Sequence, residues 1–156
     1  MDGDLRRVRA IADYQLGRGC GPALFPEGVE FAYSKNTGRI RHVYLGGTLL
    51  ASFRPTDGLF ALTVAGAERL VSNMDELGFA VTVDDEVADF VAQGRSVFAK
   101  HVVDAGDEVR PGGEVVVLDS GRRVLAVGRA LLTKEEMLAF VVGVAVRVRR
   151  GRVGRR

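Results

Sequence analysis

The sequence is short of the residues on which catalysis and metal binding draw. Cys20 is the one cysteine in 156 residues, which excludes a disulfide framework and a thiolate metal cluster. An unpaired thiol fits a reducing compartment. There are two histidines, His42 and His101, and neither has a local partner that would make it a general base. No run approaches the roughly 18–20 continuous apolar residues that span a bilayer. The opening "MDGDLRRVRAIADY" puts charges where the apolar stretch of a secretory signal would lie. A cytoplasmic protein without a membrane partner is therefore expected, with no catalytic residue, metal or cofactor. The glycine-rich "GRGCGPALFPEG" lacks the lysine–serine ending and the strand-to-helix setting of a phosphate-binding loop. Cys20 within it reads as a small buried side chain. Length alone excludes a TIM barrel.

What is present is ordinary globular usage, 47% apolar and 27% charged, enough for one medium domain or two small ones. The net charge of +2 hides an asymmetry. After Glu136 there is no acid, while Arg147, Arg149, Arg150, Arg152, Arg155 and Arg156 crowd the end. Such a local positive field favours a polyanion. The tail lacks the bulky apolar face of an interfacial helix, so nucleic acid is favoured over a membrane surface.

Leu5, Val8, Ala12 and Leu16 recur at helical spacing between Asp4 and Gly17, which predicts an amphipathic helix. After a Gly/Pro-rich link come four strand-like runs, "VEFAY", "RIRHVYL", "LLASFR" and "LFALT". The intervening "SKNTG", "GG" and "PTDG" are hairpin signals, so an antiparallel meander is expected, followed by the helix "AGAERLVSN". Arg39 and Arg41 alternate with Ile40 and share one strand face, either a solvated surface or a second, weaker surface for nucleic acid beside that of the basic C-terminus. His42 reads as an exposed strand residue.

The second half opens with the strand "FAVTV" and a helix, "DDEVADFVAQG", with acids at its start, a buried stripe of Val87, Phe90 and Val91, and Gly94 as C-cap. The strands "SVFAKHVV", "EVVVLD" and "RVLAVGRALL" follow, then Thr133 and Glu136 at capping-box spacing before "KEEMLAF", and the last strand "GVAVRVRRG". Short strands with turn signals between them predict a small closed or half-closed β-barrel. Alternation puts Val144, Val146 and Val148 on one face of the last strand and Ala145, Arg147 and Arg149 on the other.

These residues carry a resemblance. "VTVDDEVADFVAQGRSVFAKHVV", "RPGGEVVVLD", "LAVGRALLTKEEMLAF" and "GVAVRVRRG", in that order, resemble a PUA domain, the RNA-binding module named after pseudouridine synthases and archaeosine transglycosylases. The upstream "VEFAYSKNTGRIRHVYLGGTLLASFRPTDGLFALTVAGAERL" resembles the domain that precedes PUA in archaeosine tRNA-guanine transglycosylases and in free-standing archaeal relatives. The resemblance implies an α+β chain: an N-terminal antiparallel sheet with helices over residues 1–77, a PUA-type small β-barrel over 78–152 and a basic tail over 153–156. The family's catalytic barrel, acidic catalytic residues and cysteine-rich zinc site have no counterpart in this sequence.

Carried over by position, the resemblance puts RNA contacts at Gly94, Arg95, Ser96, Val97, Phe98, Lys100 and His101, with Arg147, Arg149 and Arg150 beside them. The residue chemistry agrees, because a glycine admits close backbone approach and flanking cations neutralise phosphates. Gly94 also reads as a plain helix cap. Phe98 reads as a core position before it reads as a base-stacking one, and His101 as a phosphate contact or a packed strand position. Arg155 and Arg156 read as a solubilising tail. The function implied is non-catalytic binding of a tRNA or similar structured RNA in RNA modification. The alternatives are an accessory subunit of a split transglycosylase-type enzyme, partnered by its catalytic subunit, or a translation factor on the small ribosomal subunit.

Overall fold

The computed structural model describes residues 3–153 and separates into two compact units, Met1–Asp75 and Glu76–Arg156. In the first, α1 (Gly3–Leu16) buries Leu5, Val8, Ala12 and Leu16, the stripe that the sequence spacing predicts. The Gly/Pro-rich link is not all loop, for it holds a short helix, α2 (Cys20–Leu24). Pro22 sits in its first turn, where a missing N–H costs nothing. Gly21 lets this helix lie against α1, since a Cβ there would come within 2.3 Å of the Arg9 carbonyl oxygen.

The meander follows as β1 (Glu30–Tyr33), β2 (Ile40–Leu45), β3 (Thr48–Phe53) and β4 (Phe60–Leu62), paired antiparallel in that order. An up-and-down path brings the β1–β2 and β3–β4 turns to the same end of the sheet. Thr63 caps α3 (Val64–Asn73) by accepting the Gly66 N–H at 3.0 Å. The helices bury Val8, Leu24 and Leu70 with Val43 and Leu62 of the sheet, and the Phe25 and Phe60 rings pack 5.2 Å apart.

The second unit runs β5 (Ala80–Val83), a 3₁₀ turn at Asp85–Val87, α4 (Ala88–Ala92), β6 (Val97–Phe98), a 3₁₀ turn at Ala99–His101 and β7 (Val102–Ala105). Then come β8 (Glu114–Leu118), β9 (Val124–Ala130), α5 (Lys134–Ala139) and β10 (Val144–Gly151). The sheet order is β6-β10-β9-β8-β5-β7, with β5 and β8 parallel and the other pairs antiparallel. Its two edge strands, β6 and β7, are joined by one 3₁₀ turn. The sheet therefore curls until its edges meet, giving the nearly closed small barrel that the sequence predicts. The strands β8 and β9 are almost wholly buried, as strands covered on both faces are. α5 starts with the expected capping box, Thr133 Oγ1 accepting the Glu136 N–H at 3.1 Å and Glu136 Oε1 accepting the Thr133 N–H at 2.9 Å.

Three expectations fail locally. "SVFAKHVV" is not one strand, because β6 pairs with β10 and β7 with β5, and the 3₁₀ turn lets the chain change partners. "DDEVADFVAQG" is a 3₁₀ turn followed by a single α-turn, and the change of pitch leaves Phe90 53% exposed instead of in a buried stripe. His42 is half-buried, its Nδ1 2.8 Å from the Ser52 hydroxyl. Arg155 and Arg156 lie outside the described residues. No helix among the described residues is long and apolar enough to cross a membrane.

Candidate nucleic-acid interface

The stretch from Gly94 to His101 forms the seam on which the barrel closes. Asp84 Oδ1 caps the opening 3₁₀ turn by accepting the Glu86 N–H at 3.0 Å. Asp85 accepts both the backbone N–H of Ser120 at 3.0 Å and its hydroxyl at 2.6 Å, and these hydrogen bonds hold its carboxyl below the usual range. Two of the acids at the helix start are thus engaged in holding the fold.

α4 then stops in a Schellman cap. The Arg95 N–H reaches back to the Phe90 carbonyl at 3.1 Å and the Gly94 N–H to that of Val91 at 2.9 Å, with Gly94 at φ +107°. Only glycine takes that conformation without strain. The cap brings its two flanking side chains together, so the Arg95 guanidinium stands 5.6 Å from the centre of the Phe90 ring, within cation–π range. A Cβ added to Gly94 would meet nothing within 4 Å, so this backbone is open to a ligand.

Next to the cap is a cleft of about 500 Å³. Phe90, Phe98, Arg95, Ser96 and His101 line it over an apolar floor of Val87, Val91 and Val97. Phe98 is 49% exposed, so it is not the core residue that the sequence suggests. Val97 does occupy the core, 1% exposed, and meets the cleft only as part of its floor. Ser96 Oγ accepts the Val148 N–H at 3.2 Å, which fixes the seam to β10 and leaves the hydroxyl hydrogen to donate elsewhere. Lys100 is exposed on the 3₁₀ turn just outside the lining, and His101 is half-buried within it.

The basic last strand is not uniform. Arg147 stands opposite Arg129 on β9, exposed to solvent. Arg149 is committed elsewhere: it forks onto Glu114 of β8, whose side chain is fully buried. A register shift between Val148 and Arg150 interrupts the simple alternation, and Arg150 is exposed just before Gly151. Gly151 touches the seam, since a Cβ there would lie 2.6 Å from the Gly94 nitrogen and 2.1 Å from the Ala92 carbonyl oxygen. The structure thus gathers Arg95, Ser96, Phe98 and His101 into one cleft, sets Arg150 one residue before Gly151, whose backbone meets the Gly94 cap, and leaves Arg147 and Arg149 out of the lining. Phe90 is the residue that sequence reasoning missed. Its spacing five residues before Arg95, across a helix-ending glycine, was the available signal.

Cleft and cap together present two exposed phenyl faces, a guanidinium, a hydroxyl and an imidazole. That set can stack a flat heterocycle and hold its phosphate. Among the described residues, no group of three or more His, Cys, Asp and Glu is placed to hold a metal ion.

Comparison with known proteins gives a consistent result. Residues 79–152 match the family described as PUA domain. Residues 6–76 match the patch-forming domain C2 of tRNA-guanine transglycosylase. The tRNA-guanine(15) transglycosylase of Methanothermobacter thermautotrophicus is 43% identical over 148 residues, 95% of this chain and 23% of that protein. The chain thus spans about a quarter of the length of the curated relatives it matches. Among solved structures, a hypothetical protein from Pyrococcus horikoshii OT3 aligns with a TM-score of 0.75 at 22% identity, covering 95% of this chain and 89% of that one. A conserved PUA domain protein from Thermoplasma acidophilum gives 0.66 at 23% identity, covering 94% and 86%. Both support the fold.

Proposed function

We propose that this chain, whose residues 79–152 match the PUA domain and which resembles the C-terminal region of archaeal tRNA-guanine(15) transglycosylases, binds structured RNA, a tRNA first, in RNA modification. It binds without itself catalysing a reaction. One observation carries this reading: the seam cleft, with the exposed rings of Phe90 and Phe98 beside Arg95, lies inside the PUA-matched residues. An unpaired nucleotide stacks on the rings while Arg95, Lys100 and His101 meet phosphate, the way single-stranded RNA is commonly held. Arg150 and Arg147 add sequence-independent attraction.

The test is anisotropy binding of deacylated tRNA, intact and trimmed of its 3′ terminal nucleotides, across a salt series and against duplex DNA of equal length. Binding that is tight for intact tRNA and lost on trimming supports an RNA end in the cleft. Equal binding to every polyanion, governed by salt alone, overturns it.

A second reading, an accessory subunit working with a catalytic chain, is favoured by one surface. Leu138 and Phe140 are 47% and 43% exposed, and Val141 and Val142 are 76% and 75% exposed, in the segment leading into β10. The loop is joined to the seam by the Ala99 N–H, which donates to the Gly143 carbonyl at 2.9 Å. Clustered apolar exposure of this kind marks protein contacts. Co-purification of a tRNA-modifying enzyme that is lost in Val141→Ser/Val142→Ser supports the reading; recovery of the chain without such an enzyme overturns it.

A further inference from the structure

The first unit holds a second cleft of about 500 Å³, at the end of the sheet where the β1–β2 and β3–β4 turns meet α1. Four arginines line it, with Asp57 of the β3–β4 turn: Arg7 from α1, Arg39 just before β2, Arg41 in β2, and Arg54 just after β3. Of these, Arg54 is paired with Asp57 at 3.3 Å. Arg7, Arg39 and Arg41 have no ion-pair partner among the described residues. Arg41 is half-buried, and its Nε is a buried donor without a hydrogen-bond partner. A buried guanidinium donor left unmatched is costly, and its burial beside other cations adds to that cost. The arrangement is explicable if the cleft's usual occupant is an acceptor-rich anion.

The turn supplies hydroxyls as well. Ser34 Oγ accepts the N–H groups of Asn36 and Thr37, each at 3.3 Å, and Thr37 Oγ1 accepts the Arg39 N–H at 3.2 Å. Their lone pairs are thus used by the turn while their hydrogens remain free to donate. Several guanidinium donors and two hydroxyl donors around one cleft exceed what a single carboxylate can accept. They match a phosphate, whose oxygens take forked and single donors from several directions.

We propose that this cleft binds a phosphate group, offered either by the backbone of a bound RNA or by a small phosphorylated ligand. The proposal stands on the first unit alone and is independent of the Gly94 seam.

The full chain, labelled with ¹⁵N-arginine, is titrated with inorganic phosphate at constant ionic strength, with chloride as the reference anion, while the arginine Nε–Hε resonances are followed. Saturable shifts at Arg41 and Arg39 in phosphate but not chloride are expected. Arg41→Gln or the more exposed Arg39→Gln should weaken that response about tenfold with the resonances of the second unit unmoved. Shifts that are linear in phosphate and equal in chloride overturn the site, as does a saturable response that both variants retain. The same variants with tRNA then separate the sources. An affinity loss of about tenfold, with phosphate competing at the Arg41 resonance, identifies the RNA backbone. Unchanged tRNA affinity alongside saturable phosphate binding identifies a small phosphorylated ligand. Phe98→Ala reports separately on the seam: it lowers tRNA affinity there while leaving the phosphate response of Arg41 intact.

Discussion

Arg149 on β10 reaches across β9 to grip Glu114 on β8, its two terminal nitrogens 3.2 and 2.5 Å from the two carboxylate oxygens. The Glu114 side chain has no solvent exposure, whereas that of Arg149 retains 35%. Removing the arginine strands a buried carboxylate. Arg149→Ala is therefore expected to lower stability by about 2–4 kcal/mol, somewhat below the figure for a wholly buried pair. Adding Glu114→Gln should restore part of the loss, read as the denaturation midpoint of the double variant. Arg147→Ala and Arg150→Ala, by contrast, should leave the midpoint nearly unchanged and each reduce the salt slope of RNA binding by up to about one. A neutral Arg149→Ala that weakens RNA binding as much as Arg147→Ala does would return Arg149 to the phosphate-binding set.

The two exposed rings make the opposite kind of prediction. Phe90 and Phe98 are about half exposed, so truncating either costs the fold little. If a base stacks on them, each alanine should weaken RNA binding by roughly 1–3 kcal/mol. Anisotropy titrations alongside denaturation curves separate the two effects, and a variant that loses stability without losing affinity would make that ring a packing residue.

The same contrast explains what could be read from sequence. The stripe of α1, the hairpin glycines and the Thr133–Glu136 box are local patterns, and the structure follows them. Phe90 falls outside the expected stripe because a 3₁₀ turn changes the pitch ahead of α4, whereas the exposure of Phe98 depends on where the barrel closes. That is a non-local outcome in which β6 and β7 take different partners three residues apart. The Arg149–Glu114 pair spans 35 residues and leaves no trace in local spacing. Gly94 was legible as a cap because the Schellman geometry is local, while the cleft it opens needed the register of β10 against β6.

Acid should weaken the attachment of the seam's helix. Hydrogen bonds from Ser120 hold the Asp85 carboxyl below its ordinary value of 3.8. A depressed folded-state value gives stability that is present above the unfolded value and lost as pH falls through the folded one. Ser120→Ala should therefore lower the melting temperature at pH 7, and the gap from the parent should close as the pH drops well below 3.8. A gap independent of pH would mean that the carboxylate is not what Ser120 stabilises.

Cys20 is buried, and burial, with Asp13 adding to it, pushes its thiol up to about 11. The thiolate is the reactive form, so the native protein at pH 8 should resist alkylation and label only as it unfolds. Rapid labelling under native conditions would show that α2 opens locally.

Gly94 and Gly151 meet at one contact for different reasons, and alanine should tell them apart. At Gly94 the space beyond is empty and the obstacle is φ +107°, a strain on the order of 1–3 kcal/mol. At Gly151 the obstacle is the backbone of α4, 2.1 Å from where a Cβ would stand. Neither backbone can yield without parting β10 from the seam. Gly151→Ala should therefore be the more destabilising, and it should disorder the cleft as well, seen as faster amide exchange at Gly94 and Arg95. Gly94→Ala should keep those amides protected while its new methyl group intrudes where a ligand approaches. Its RNA affinity should then fall by more than the stability loss accounts for. Equal stability losses with unchanged RNA affinity in Gly94→Ala would leave Gly94 as a helix cap and move the RNA contact along the cleft to the rings.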